Sequence, residues 1–184
     1  MGGQGGVDGY LPCACLGWWS AGRGVDRLLG GEGPSLRVGR KRGERNQAIG
    51  RSRGGRSTKI HALTDAFCRP IAFLLTGGHV ADCTAADSLL EQMPAATILH
   101  GDKGYDSNAV RRKIEARGAA PNIPPKANRR WKNCFSPALN RDRNAIERMF
   151  GRIKDFRRIA TRYDRLAQNF LAAVCLVATV CYWL

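Results

Sequence analysis

The sequence predicts an α/β domain in which a mixed sheet carries helices on its faces. Three observations predict it. Apolar runs of strand length recur between positions 58 and 125, stretches with helical spacing alternate with them, and Gly or Pro punctuates the junctions. Residues 1 to 43 stand apart. They are rich in Gly, Arg and Trp with no clean period of 2 or 3.6, and they read as a low-order segment. The domain proper is therefore placed at 44 to 184.

The elements follow in order. A basic, glycine-rich hinge (Arg40 to Arg45, then Gly50 to Arg56) leads into Thr58 to Thr64, where apolar and polar residues alternate as in a half-buried strand. Cys68 to Pro70 is a turn. Ile71 to Thr76 is a continuous apolar run suited to a central strand, ended by Gly77 and Gly78. Asp82 to Met93 reads as a helix with Asp82 as its N-cap. Ala96 to His100 is a third strand. Ser107 caps a helix over 108 to 117, stopped by Gly118. Asn122 to Pro125 fits a short edge strand. A long helix is expected from Leu139 to Phe156, and a last one from Asp164 into the apolar tail, with Leu171, Val174, Leu176, Val177 and Val180 as core residues.

Composition narrows the function. The 184 residues suit one domain. Lys and Arg total 30 against 15 Asp and Glu, a formal net charge of +15. Such an imbalance favours a polyanion, because each cation set on a phosphate releases a condensed counterion. The seven cysteines are odd in number and form no pair of CxxC units, so free thiols in a reducing cytosol are expected, not a zinc site or a disulfide framework. No secretory leader is evident, and the apolar tail from Phe170 is shorter than the roughly 20 residues of a spanning helix, so no membrane partner is expected.

Two acids carry the candidate chemistry. Asp102 follows an apolar strand and lies between glycines, at the carboxyl end where α/β sheets gather ligands. Taken alone it is also an ordinary turn former. Glu147 lies four residues after Arg143 and seven before Lys154, so the three share a helix face beside the stripe of Ile146, Met149, Phe150 and Ile153. That spacing also fits an exposed ladder of ion pairs. A carboxylate for a hard cation, flanked by cations for phosphates, is what phosphodiester chemistry needs. Arg51, Arg53 and Lys59 are candidates to track phosphates, as are Arg129, Arg130 and Lys132, with Trp131 among them to stack on an exposed base. The same residues also fit a solvated basic hinge and an exposed loop. His61, His79 and His100 read as a strand residue, a loop residue and a neighbour of Asp102.

Four blocks extend the reading: GRSRGGRSTKIHALTD (50 to 65), HGDKGYDS (100 to 107), NIPPKANRRWKN (122 to 133) and RNAIERMFGRIKDFRRIATRYDRLAQNFLA (143 to 172). Through them about three quarters of the chain resembles the insertion sequence 5 family of bacterial DDE transposases. The resemblance implies an RNase H-like domain whose three acids hold two divalent ions, Mg²⁺ or Mn²⁺, for cleavage and transfer of DNA strands. It implies DNA partners (terminal inverted repeats and target), a homo-oligomer on that DNA, and a nucleoid-associated location. Asp102 matches the second acid. Glu147 matches the third within the signature Y-x2-R-x3-E-x6-K, with Arg143 and Lys154 as its Arg and Lys and Asn140 in place of its Tyr. The first acid, which the family sets in a strand reading about Asp-Ser-Thr, has no match. Asp26 lies near the expected distance, but its flank does not continue the pattern. The first strand is therefore expected to be missing or corrupted, leaving its neighbour as an unpaired edge. The resemblance thus implies either a strand-transferring transposase or a non-enzymatic DNA-binding fragment that competes with one.

Overall fold

The computed structural model describes residues 13–21, 47–52 and 55–184. In chain order the strands and α-helices are β1 (Cys13–Ala21), β2 (Gly50–Ser52), β3 (Gly55–Thr64), β4 (Pro70–Gly77), α1 (Asp82–Glu91), β5 (Ile98–Gly101), α2 (Asn108–Ala116), β6 (Ala120–Asn122), α3 (Asn144–Lys154), α4 (Arg157–Ala160) and α5 (Ala167–Tyr182). Across the sheet β4 pairs with β3 and β3 with β1, both antiparallel. β1 then pairs with β5, and β5 with β6, both parallel. β2 forms a hairpin with the start of β3. The result is a mixed sheet with β1 at its middle, flanked by helices, in agreement with the α/β expectation.

β1 corrects that expectation in two ways. It lies within the segment read as low-order, and it fills the place of the strand expected to be missing or corrupted: the strand is present but carries no acid. Cys15 to Ala21 pair with Thr64 to Thr58, so β3 is not an unpaired edge. The physical reason is burial on both faces. A central strand needs no alternation of apolar and polar residues, so CACLGWWSA carries no period of 2 to detect.

Two apolar clusters cover the two faces. On one, Ala14 and Leu16 of β1 pack with Leu63, Leu99 and the inner residues of α1 and α2: Leu89, Leu90, Val110 and Ile114. On the other, Cys15, Ala21, Ile60 and Ala62 meet Ile146, Met149, Phe150 and Ile153 of α3 and Phe170 and Val174 of α5. Full burial of one such aliphatic or aromatic side chain is worth about 1.5–3 kcal/mol, so the α3 stripe is what docks that helix. β1 thus sends Ala14 and Leu16 toward α1 and α2, and Cys15 and Ala21 toward α3 and α5.

Local chemistry accounts for the junctions. Asp65 Oδ1 accepts from the backbone N–H of Phe67 and of Arg69, both at 2.9 Å, closing the turn that brings Cys68 to φ 62°. Ser107 caps α2, its Oγ accepting from Val110 N at 3.1 Å, and Gly118 at φ 79° ends it, as expected. Asp82 is not the N-cap of α1. Ala81 takes that position, and the Asp82 carboxylate pairs with Lys59 Nζ at 2.7 Å. The edge strand β6 begins two residues before the expected Asn122, with Pro121 tolerated because, among the described residues, β6 has a partner strand on one side alone. The long helix from Leu139 is split. A 3-10 turn covers Leu139–Arg143, and α3 begins at Asn144. α5 buries Phe170, Val174 and Ala178, one stripe at helical spacing. Leu176 and Val180, expected in the core, are 69% and 52% exposed, because α5 packs on the sheet with one face only.

Candidate active site and DNA interface

The site forms where the middle of β1 and the carboxyl end of β5 meet the start of α3. Gly101 closes β5 with its Cα hydrogens toward Ile123 and Leu16, on the α1–α2 side. The next residue, Asp102, therefore turns to the α3 side. There the Nη1 of Arg143 donates to Asp102 Oδ1. The Nη2 of the same guanidinium lies 3.0 Å from Glu147 Oε1. One arginine fork thus joins two carboxylates that lie 45 residues apart in the chain. Asp102 and Arg143 are largely shielded, while Glu147 is 59% exposed. Lys154, two turns further along α3, is half-buried. Burial pulls its ammonium below the ordinary lysine range, and Glu147 acts in the opposite sense. Arg143 Nε and Asn140 Oδ1 are buried here without a hydrogen-bond partner among the described residues.

The turn behind Asp102 is built by buried polar groups. Tyr105 is fully buried, and its hydroxyl donates to the Gly17 carbonyl of β1 at 3.2 Å and meets His61 Nδ1 at 2.8 Å. The other ring nitrogen of His61 meets Thr76 Oγ1 at 2.7 Å. Burial drops the His61 pKa to about 4, so the imidazole is neutral, and burial likewise pushes the Tyr105 phenol well up. His61 is thus a satisfied core residue, and His79 lies exposed in a turn. His100 is buried with Nδ1 3.1 Å from Asn122 Nδ2.

The chain is similar in sequence to known proteins. A family model described as Transposase DDE domain matches residues 32–184. The chain belongs to that transposase family. A protein of Brucella ovis assigned as a transposase for insertion sequence element IS6501 is 32% identical over 129 residues, covering 70% of this chain and 98% of that one. One of Burkholderia cepacia, assigned to element IS402, is 32% identical over 137 residues, covering 68% of this chain and 63% of its own length. The transposase for IS1106 of Neisseria meningitidis serogroup B is 30% identical over 131 residues, covering 64% and 44%. The match therefore spans nearly all of one relative and less than two thirds of the other two.

The remaining candidates of this transposase-family chain separate into three groups. Arg130, Trp131 and Lys132 are exposed, Trp131 by 82%, as a nucleic-acid contact requires. Arg51 is exposed on β2, paired across the hairpin with Arg56. Lys59 and Arg129 are engaged by the protein. Lys59 Nζ is held by Asp82 Oδ1 at 2.7 Å and Val80 O at 2.8 Å, while Arg129 donates to Asp106 Oδ2 at 2.5 Å and Asn108 Oδ1 at 2.6 Å. Both serve the scaffold. Arg53 and Asp26 lie outside the described residues. No helix among the described residues is long and apolar enough to cross a membrane.

Sequence reasoning missed Asp106 and Arg162. Asp106 is buried and accepts from Arg111 Nε at 2.9 Å, Arg129 Nε at 2.5 Å and Lys126 N at 2.8 Å. Burial opposes its charge, but those three donors outweigh it and hold the carboxyl below its ordinary range. Arg162 donates to the carbonyls of Gln47 at 2.9 Å and Asp164 at 2.9 Å and to Thr58 Oγ1 at 2.5 Å, tying the chain before β2 to β3 and α5. No charge pattern in the sequence distinguishes either from surface ion pairs.

The donor set was tested against the two divalent ions that the family implies. Hard cations of this kind ask for several converging oxygens. Asp102 and Glu147 converge, but on a guanidinium, and no group of three or more His, Cys, Asp or Glu gathers among the described residues. That donor set does not fit a two-ion site.

Proposed function

We propose that this chain binds insertion-sequence DNA as a transposase does, with an RNase H-like domain of the insertion sequence 5 group, but without the cleavage step. The observation that carries the reading is the arginine fork between Asp102 and Glu147. It supports a face whose two acids share one guanidinium, which offsets part of their charge, and whose surroundings are basic. Lys154 follows on α3, and the exposed Arg130–Trp131–Lys132 segment supplies further cations and one ring for a base. With a net charge of +15, such a chain takes up a polyanion readily. Terminal inverted repeats are its proposed ligand, and competition with an intact transposase its proposed effect. Pairing of two DNA ends by a homo-oligomer belongs to the same proposal.

The second reading keeps strand cleavage and transfer with Mg²⁺ or Mn²⁺. The meeting of Asp102 and Glu147 favours it. It requires a third carboxylate from outside the described residues, Asp26 being the candidate.

One experiment separates them. Terminal-repeat and scrambled duplexes are titrated with the full chain by fluorescence anisotropy, and the same duplexes are assayed for nicking with Mg²⁺ or Mn²⁺. The first reading expects preference for the repeat and no nicking. Nicking that disappears in Asp102→Ala and Glu147→Ala establishes the second. Equal binding to both duplexes rejects specific recognition in either form.

A further inference from the structure

The two strands that lead into the site run parallel, and their register decides what faces Asp102. Leu16 is level with Gly101, so one step on, Gly17 is level with Asp102. Both lie on the α3 side of the sheet. A Cβ built on Gly17 would stand 3.0 Å from Ile146 Cδ1, in the residue just before Glu147. Neighbouring strands lie about 4.8 Å apart, so side chains at 17 and 102 would stand side by side with Glu147 above them. Three elements therefore converge, β1, β5 and α3. Two of them contribute a carboxylate, and the third contributes a residue with no side chain.

We infer that Gly17 is the third corner of the acid site, and that a carboxylate there would convert the Asp102–Glu147 pair into a divalent-cation site. The inference rests on the DNA-binding reading, in which Arg143 bridges the two acids. It also accounts for the failed fit. Two carboxylates with a net charge of −2 are offset in part by one guanidinium, whereas three on converging elements present the dense oxygen set that a hard cation requires. The position tolerates little volume: Ile146 Cγ2 would also lie 3.1 Å from the new Cβ, so α3 or the Ile146 rotamer must shift by a few tenths of an ångström. The Gly17 carbonyl, bonded to Tyr105, holds the strand in place while it does so.

The test is Mn²⁺ titration of the full chain, with free Mn²⁺ read by electron paramagnetic resonance. Wild type, Gly17→Ala, Gly17→Asp and Gly17→Asp/Asp102→Asn are compared. Gly17→Asp is expected to bind Mn²⁺ at least about tenfold more tightly than wild type or Gly17→Ala, the size of one added charge contact with a divalent ion, and Asp102→Asn is expected to reverse the gain. Should the new side chain prevent folding, the comparison is made in the roomier background, Gly17→Asp/Ile146→Ala against Gly17→Ala/Ile146→Ala. Equal affinities in the folded pair overturn the inference. So does a wild type that already binds as tightly as Gly17→Asp and loses the ion with Asp102→Asn. Because the readout contains no DNA, loss of repeat specificity in wild type would sink the DNA-binding reading and leave this comparison standing.

Discussion

Replacing Asp106 tests how the turn behind Asp102 is held. The Asp106 side chain is fully buried and receives three donors, and Arg111, the nearest of them in the chain, is itself only 4% exposed. Asp106→Ala removes the anion and leaves the Arg111 guanidinium buried with only backbone carbonyls as partners, Ile123 O at 2.6 Å and Pro121 O at 3.5 Å. Breaking a buried pair from one side costs about 3–5 kcal/mol, because the remaining charge stays desolvated. Asp106→Asn keeps the shape and an acceptor oxygen but loses the charge, and should cost about 2 kcal/mol, the worth of hydrogen bonds to a charged group. Urea unfolding followed by circular dichroism measures both. The order Ala above Asn above wild type is required. An Ala variant within about 1 kcal/mol of wild type would mean that water reaches Arg111 and that the network is a surface feature, which would refute the argument.

Four further outcomes are expected. His61 has its pKa dropped from 6.5 to about 4, so the unfolded chain takes up a proton over that window and the native chain does not; stability falls as pH drops from 6.5 toward 4, by up to about 3 kcal/mol, and His61→Gln flattens that slope in acid-dependent urea melts. Asp106, lowered from 3.8, acts in a separate window: its contribution is full above 3.8 and is lost as pH falls further, so the two residues are separable in the same melts. Arg130→Ala with Lys132→Ala should weaken binding to every duplex alike and reduce the slope of log K against log salt by about 1.8, while Trp131→Ala should cost about 1–3 kcal/mol on single-stranded DNA only; unchanged salt slopes would remove this loop from the interface. Arg162→Met should cost about 2–4 kcal/mol in the same melts, since it leaves the carbonyls of Gln47, Asp164 and Arg165 without their donor, and a cost below about 1 kcal/mol would reject its bridging role.

Much of the fold is legible in the chain because its punctuation is local. Ser107, Gly118 and the Cys68–Pro70 turn each act through neighbours a few residues away, so their effect can be read without knowing what packs on them. What depends on distant partners is not. Asp82 looks like a cap until Lys59, 23 residues earlier, takes its carboxylate. The apolar residues of α5 look uniformly internal until it is seen that, among the described residues, β4 and the neighbouring helices cover one side of it and leave Leu176 exposed.

The site divides along the same line. Asp102 and Glu147 could be singled out because each carries its own local signal, an acid at the end of an apolar strand and an acid between cations on one helix face. Their meeting through Arg143 is a tertiary fact that spacing along the chain cannot supply. β1 offers no signal of either kind. Buried on both sides, it needs no alternation, and the residue that faces Asp102 is a glycine, which carries no charge and no polar atom beyond its backbone. A position can decide the chemistry of a site by what it omits, and an omission becomes readable only when the register of the neighbouring strand identifies which residue stands there. The residues that carry the family resemblance are therefore legible in the sequence, while the glycine beside Asp102 is silent until the strands are aligned.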